Sequence, residues 1–240
     1  MHTMLDVDER HWWYRGRRRI IGAELHRLPL PAPARILDAG CGSGRTLEDL
    51  VAYGEVSGIE ISPEAAEVAR GRDCGEVFVG RLEQLPWEAD TFDLITCLDV
   101  LEHVPDDRMA LTELRRVCRP GGWLVMTVPA YQALWSYHDE ANRHYRRYER
   151  ATLRTAIADT GWRLERLTFF NTLLFPPAVA VRLAQRRRRN GGPDFDLHPG
   201  PRWLNRALEA PLRVEAKWLA RGRTLPAGLS LLAVTQKPLA

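Results

Sequence analysis

Three histidines stand near carboxylates in the sequence: His103 after Asp99, His138 beside Asp139, and His144 shortly beyond. An imidazole titrates near neutral pH, so it can take or release a proton there, and a neighbouring carboxylate can fix its tautomer. His103, His138 and His144 are therefore the candidates for the general base, with His138 preferred and Asp99 or Asp139 as the orienting carboxylate. Each also has a plainer reading: His103 can cap or pack a loop, and Asp139 can cap a helix. Arg146 and Arg147 could clamp a carboxylate or phosphate in bidentate fashion, or make structural ion pairs. Around them His144, Tyr145 and Tyr148 could wall a substrate pocket or pack the segment in place. A second aromatic and cationic cluster, His11-Trp12-Trp13-Tyr14-Arg15, opens the chain. There Trp13, Tyr14 and Arg15 could touch substrate as part of a lid, or anchor a helix on the core.

The elements that would position these groups follow from one stretch, Ala34–Arg45. It reads as a buried strand over Arg35–Ala39, then the turn Gly40-Cys41-Gly42-Ser43-Gly44, then a helix opening at Arg45. Alternate glycines permit positive φ and close approach of a ligand. The helix start behind them offers N–H groups and the positive end of a dipole. The next strand, Glu55–Ile61, carries Glu60, 22 positions after Asp38. An acid at the end of that strand can accept both hydroxyls of a ribose. The dinucleotide pattern G-x-G-x-x-G fails, because its third glycine position holds Arg45.

The D-A-G-C-G-S-G run, with G-x-G-x-G spacing, resembles motif I of the class I methyltransferases that use S-adenosylmethionine. Further pieces carry the same resemblance: Arg81-Leu82-Glu83-Gln84-Leu85-Pro86-Trp87, Phe92-Asp93, Leu101-Glu102-His103-Val104, and the Pro120-Gly121-Gly122 join. The chain departs from the family at Arg81, where an acid near the adenine is usual. The segment Pro129–Arg150 is similar to that of a type 11-like bacterial subgroup with an LWSxHDxxxxHxRRY stretch and an aromatic-Arg N-terminus. The matching residues are Leu134-Trp135-Ser136, His138-Asp139, His144 and Arg146-Arg147-Tyr148. The resemblance implies an α/β, Rossmann-like doubly wound sheet of seven strands, order 3-2-1-4-5-7-6, with strand 7 antiparallel. It implies S-adenosyl-L-methionine as cofactor, with S-adenosyl-L-homocysteine as product. Cofactor contacts are then expected at Asp38, Gly40, Cys41, Gly42, Gly44, Glu60, Ile61, Leu82, Glu83 and Asp99.

The remaining elements are read from turn and capping signals. Ser62-Pro63 starts a helix reaching about Gly71, and Glu76–Gly80 and Asp93–Leu98 read as strands three and four. Asp107 can cap a helix over Arg108–Arg119, Pro120-Gly121-Gly122 a turn, and Trp123–Val128 strand five. A helix over Thr152–Thr160, a strand over Trp162–Phe169 and a last strand over Leu229–Gln236 follow. Between the last two lies a helical insertion, 170–223, in which Pro211 should kink or divide a helix.

One methyltransferase domain over 1–240 is expected: a lid over 1–33, a cofactor core over 34–169 containing the insertion 129–150, the insertion 170–223, and the last strand in 224–240. The net charge of +3 demands no polyanionic partner, and the four cysteines form no C-x-x-C, so neither a zinc site nor a disulfide framework is expected. No apolar signal segment or spanning run of about 18 residues appears. A cytoplasmic protein is expected, with peripheral contact at the inner membrane face compatible with the apolar 172–184 stretch. Arg186–Arg189 could meet RNA or lipid phosphates, or be a solvated helix end. No RNA-binding module pattern is present, so the expected acceptor is a small molecule, peptide or lipid-linked metabolite. An RNA methyltransferase and a non-catalytic binding module stand as alternatives.

Overall fold

The computed structural model describes residues 11–180 and 201–239. Arg186–Arg189 lies outside the described residues. The chain forms two compact units: Pro29–Val128, Glu149–Leu167 and Leu232–Ala240 make one, and Met1–Leu28, Pro129–Tyr148 and Thr168–Leu231 make the other.

In chain order the strands are β1 (Ala34–Ala39), β2 (Gly54–Glu60), β3 (Glu76–Val79), β4 (Phe92–Leu98), β5 (Cys118–Pro129), β6 (Arg163–Phe170) and β7 (Ser230–Gln236). They form one seven-stranded sheet in the order β3-β2-β1-β4-β5-β7-β6, as the resemblance implies. β1 pairs in parallel with both β2 and β4, and β4 in parallel with β5. β7 runs against β5: Lys237, just past β7, exchanges hydrogen bonds with Gly121 and Gly122 at the start of β5. Beyond the end of β5, the Ala130 N–H reaches the Leu229 carbonyl just before β7.

The buried strands are runs of Ile, Leu and Val, the composition of a sheet covered on both faces. Ile36, Leu37, Leu94 and Ile95 have no exposure. The crossovers that parallel pairing requires are α2 (Arg45–Leu50), α3 (Pro63–Arg70) and α4 (Asp107–Val117), and α6 (Arg150–Asp159) precedes β6. Ser62 caps α3 by accepting the Ala65 N–H at 3.2 Å, with Pro63 in the first turn.

Two local expectations are corrected. Asp106, not Asp107, caps α4: its Oδ1 accepts the Met109 N–H at 2.9 Å, and Asp107 is the first helical residue. Pro120-Gly121-Gly122 is not a separate turn but lies inside β5, where Gly121 takes φ 78° and the pairing with β4 shifts register between Phe92 and Leu94. A glycine bulge absorbs the extra length without ending the strand.

The other unit is built on α1 (Trp12–Leu25), the short α5 (Tyr137–Ala141) and α7 (Arg202–Ala220). Helix α7 runs through Pro211 as one element, so that proline does not divide it. Gly16 lets α1 approach α7 closely, since a Cβ there would lie 2.1 Å from Leu212 Cδ1. Polar contacts fix the pairing: the Trp12 N–H donates to Asn205 Oδ1 at 2.9 Å, and the buried Glu209 carboxylate takes Arg19 and Arg213 at 3.0 Å and Arg15 at 3.2 Å. Burial alone would raise the Glu209 carboxyl; the Arg213 and Arg19 hydrogen bonds reverse this and lower it.

Candidate functional site

In a doubly wound sheet, ligands collect beyond the carboxyl ends of strands where the order reverses. Here that point lies between β1, which leads into the glycine turn, and β4, which ends at Leu98 and leads into Asp99. All three turn glycines are left-handed, at φ 80°, 55° and 79° for Gly40, Gly42 and Gly44. Their roles differ. A Cβ at Gly40 would lie 2.4 Å from Val100 Cγ2, and one at Gly44 2.8 Å from the Ala69 Cβ. A Cβ at Gly42 would meet nothing within 4 Å. Gly40 and Gly44 are thus required by packing, while Gly42 borders open space.

The turn is anchored from below and beside. Gly40 and Cys41 N–H groups both donate to the Ile59 carbonyl, at 2.8 and 3.1 Å. Glu60 Oε2 accepts the Gly42 N–H at 2.9 Å, and Oε1 accepts the Ser62 N–H at 3.0 Å. A carboxylate has about four lone-pair sites, so these bonds leave acceptor capacity for hydroxyl donors. Asp38 is buried and accepts the Thr96 hydroxyl at 2.6 Å. Thr96 was not among the sequence candidates; its signal is a single hydroxyl in the apolar run of β4. Gly58 is a second such residue, because a Cβ there would lie 2.8 Å from Cys41 Sγ. Burial first, then the charges of Asp38 and Glu60, push the Cys41 thiol far up, so it stays neutral packing.

At the end of β4, Asp99 holds φ 57° while its N–H donates to the Thr127 carbonyl at 2.9 Å. A non-glycine residue in this region is costly and concentrates at functional turns. His103 follows, exposed, at the end of a single turn, Leu101–His103, whose other two residues are buried. Ile61 is exposed just past β2, Leu82 is buried, and Glu83 is half-buried. Gly80, Arg81, Glu83 and Gln84 line a cleft of about 400 Å³ with Pro105, Asp106 and Met109. Arg81, the departure noted above, is on its wall.

The insertion in the other unit is organised by Asp139, which is fully buried. Its Oδ2 accepts the Ser136 N–H at 2.8 Å and the Ser136 hydroxyl at 3.1 Å; its Oδ1 faces His144 Nδ1 at 3.0 Å and Arg147 Nε at 2.7 Å. Burial alone would raise this carboxyl, but His144 and Arg147 outweigh it and hold it well below the usual carboxylate range. Asp139 therefore orients His144, while the exposed His138 sits 3.2 Å from Asn142 Nδ2 through its Nε2. Arg147 is buried and also reaches the Ala130 carbonyl at 3.2 Å. Tyr148 is buried too; Tyr145 is exposed, with the Arg146 guanidinium 5.9 Å from its ring centre. On α1, Trp13 stacks on Phe170 at 5.6 Å, Arg17 lies over Tyr14, and Arg15 is drawn to Glu209. Tyr131, at φ 62°, stacks on Phe169 at 5.4 Å and adjoins Phe175. Glu209, Tyr131, Phe169, Phe170 and Phe175 were not among the sequence candidates, whereas Trp13 and Tyr14 were.

A family model described as a methyltransferase domain matches residues 12–167. Ubiquinone biosynthesis O-methyltransferase of Thiobacillus denitrificans is 36% identical over 105 residues, 41% of this chain and 45% of that protein. The matched stretch thus spans less than half of that curated relative. Among solved structures, a chain in the complex with the Haloferax volcanii Trm112 methyltransferase activator is similar, with TM-score 0.64, 22% identity, and 99% and 94% of the two chains covered. Geranyl diphosphate C-methyltransferase of Streptomyces coelicolor, solved with Mg2+, geranyl diphosphate and S-adenosyl-L-homocysteine, gives TM-score 0.61 at 16% identity, covering 90% of this chain and 78% of that one.

Proposed function

Because the chain belongs to this methyltransferase-domain family, we propose that it transfers a methyl group to an oxygen, or else a nitrogen, of a small or medium-sized acceptor. S-adenosyl-L-methionine is the cofactor. The observation that carries the proposal is the open space at Gly42 beside the acceptor capacity of Glu60. Bound there, the sulfonium would supply an electrophilic methyl for in-line displacement. Glu60 would hold the ribose hydroxyls, and the backbone of Gly40–Gly44 would line the amino-acid end. Asp38, Cys41, Ile61 and Asp99 would complete that wall, and Leu82 and Glu83 would border the adenine. No acid stands at position 81, so base recognition there would fall to backbone groups.

Attack by a hydroxyl requires a proton to leave. Asp139 accepts from His144 Nδ1, which leaves the lone pair of the neutral ring on Nε2. His138 and His103 are exposed and can exchange protons with water. Among these, His138 and His144 on the insertion are the proposed base candidates, with Asp139 as orienter. Trp13 and Tyr14 on α1 and Tyr145, Arg146, Arg147 and Tyr148 on the insertion are the proposed acceptor-side residues. Ring stacks such as Tyr131 on Phe169 support an acceptor with an apolar or aromatic body: a natural-product intermediate, a modified peptide or a lipid-linked metabolite. No described helix is long and apolar enough to cross a membrane; cytoplasmic placement, peripheral to the inner membrane face, is proposed.

The test is calorimetric titration with S-adenosylmethionine and S-adenosylhomocysteine, with NAD as control. Dissociation constants near micromolar for the sulfur nucleotides alone, about −8 kcal/mol, are expected. Labelled methyl transfer into extracted small molecules should follow. Binding of NAD instead, or of neither, overturns the reading.

A further inference from the structure

We infer that the outward face of α7 docks this protein onto an anionic lipid surface. The inference extends the peripheral placement proposed above and rests on α7 alone. Its inward face is unusual, because it holds the helix's only two acids, Glu209 and Glu215, both buried. Every exposed charge on the helix is consequently positive: Arg202, Arg206, Arg213 and Lys217.

The outward face divides into two stripes. At 100° per residue, positions 203, 207, 214 and 218 fall within an arc of about 60°, and positions 202, 206, 213 and 217 within an adjacent arc of about 60°. The first stripe is apolar and open to solvent, with Trp203 70%, Val214 59% and Trp218 40% exposed. The second is wholly cationic. Only Arg213 of these four turns inward, to Glu209. Just beyond the helix, the Arg223 guanidinium lies 4.4 Å from the Trp218 ring centre.

Tryptophan and valine on one side and arginine and lysine on the other are the pattern of a helix lying in a membrane interface. The apolar stripe enters the acyl boundary, and the cations meet headgroup phosphates. A cationic stripe alone would also suit RNA. Tryptophans beside cations can also stack on bases, but the aliphatic Val214 between them, 59% exposed, offers nothing to a nucleic acid, and it decides for lipid. The indole rings, amphipathic and large, belong at the headgroup level.

The test is co-sedimentation of the full chain with vesicles of phosphatidylcholine alone or with about 30% phosphatidylglycerol, without cofactor or acceptor. Binding to the anionic vesicles is expected, with affinity at least about tenfold weaker on the neutral ones. Trp203→Glu/Val214→Glu changes two exposed positions and should cut anionic binding by at least about tenfold. Arg206→Gln/Lys217→Gln removes two cations and should cut it on the order of thirtyfold. Circular dichroism and thermal unfolding confirm that both variants fold. Three results would overturn the inference: absence of vesicle binding, vesicle binding unchanged in the apolar variant, or single-stranded RNA binding tighter than anionic vesicles. A wild-type dimer that Val214→Glu dissociates, without vesicle binding, would assign the stripe to a second copy instead. None of these outcomes bears on cofactor binding, so this inference and the methyl-transfer reading fail separately.

Discussion

Replacing Asp139 by Asn leaves the shape of the insertion nearly unchanged but removes one negative charge from a dry site. The Arg147 side chain beside it is only 4% exposed, and its Nε lies 2.7 Å from Asp139 Oδ1. Losing one partner of a buried ion pair leaves the other uncompensated, which costs about 3–5 kcal/mol. For a chain of this size each kcal/mol lowers the melting temperature by about 2–4 °C, so a fall of about 6–20 °C is expected. The assay is thermal unfolding of wild type and Asp139→Asn, followed by circular dichroism. Asp139→Asn/Arg147→Met removes both charges and should recover a large part of the loss. The pH dependence has a defined sign. The folded carboxyl lies well below its ordinary 3.8, so its stabilisation is complete above that value and is lost as pH falls further. The difference between wild type and Asp139→Asn should therefore be constant near neutrality and shrink below about pH 4. A loss under about 1 kcal/mol at pH 7, or a double variant no more stable than the single, would refute the buried-pair account.

Four further outcomes follow from the geometry. Glu60→Ala removes the acceptor for both the Gly42 and Ser62 N–H groups, and should weaken S-adenosylmethionine binding at least about tenfold by calorimetry; unchanged affinity sinks its ribose role. Gly42→Ala should cost about 1–2 kcal/mol for its left-handed backbone, less than Gly40→Ala, whose Cβ also strikes Val100; equal losses in urea titration would contradict the packing distinction. His144→Ala and His138→Ala separate the base candidates: the true base lowers turnover while cofactor affinity holds, and wild-type turnover removes the residue from that role. Burial raises the Glu215 carboxyl despite its backbone hydrogen bonds, so Glu215 destabilises the fold as pH rises above its ordinary 4.5. Glu215→Gln should accordingly be more stable than wild type at pH 7 and equal to it near pH 4; the reverse order in melting temperature refutes this.

The sheet is legible because buried parallel strands are short apolar runs and each helix between them announces itself by a cap or an apolar face. Boundaries slipped where two residues could serve equally. Asp106 and Asp107 are equivalent caps on paper, and only the first has its carboxylate aimed at the third N–H of the helix. The glycine pair after Pro120 reads as a turn, yet a bulge uses the same residues. The glycine turn was legible because its spacing is dictated by one strand–turn–helix unit. The insertion was less so. His138 and Asp139 adjoin in sequence, but neighbouring side chains on a helix point about 100° apart. The chain turns back at Arg143, φ 56°, and brings His144 to Asp139 instead. Glu209 was invisible because a glutamate surrounded by arginines far off in sequence looks like surface.

The pairing of Trp12 with Asn205, 193 residues apart, has a consequence for synthesis in the cell. Helix α1 leaves the ribosome long before α7 exists. At about 5–20 residues per second, it waits roughly 10–40 s for its partner. Throughout that interval two tryptophans, Ile20, Ile21 and the Gly16 notch are left without the helix that covers them and open to chaperones. Nascent chains of this protein are thus expected to be chaperone clients until α7 emerges, and slow codons between the two helices would lengthen that exposure.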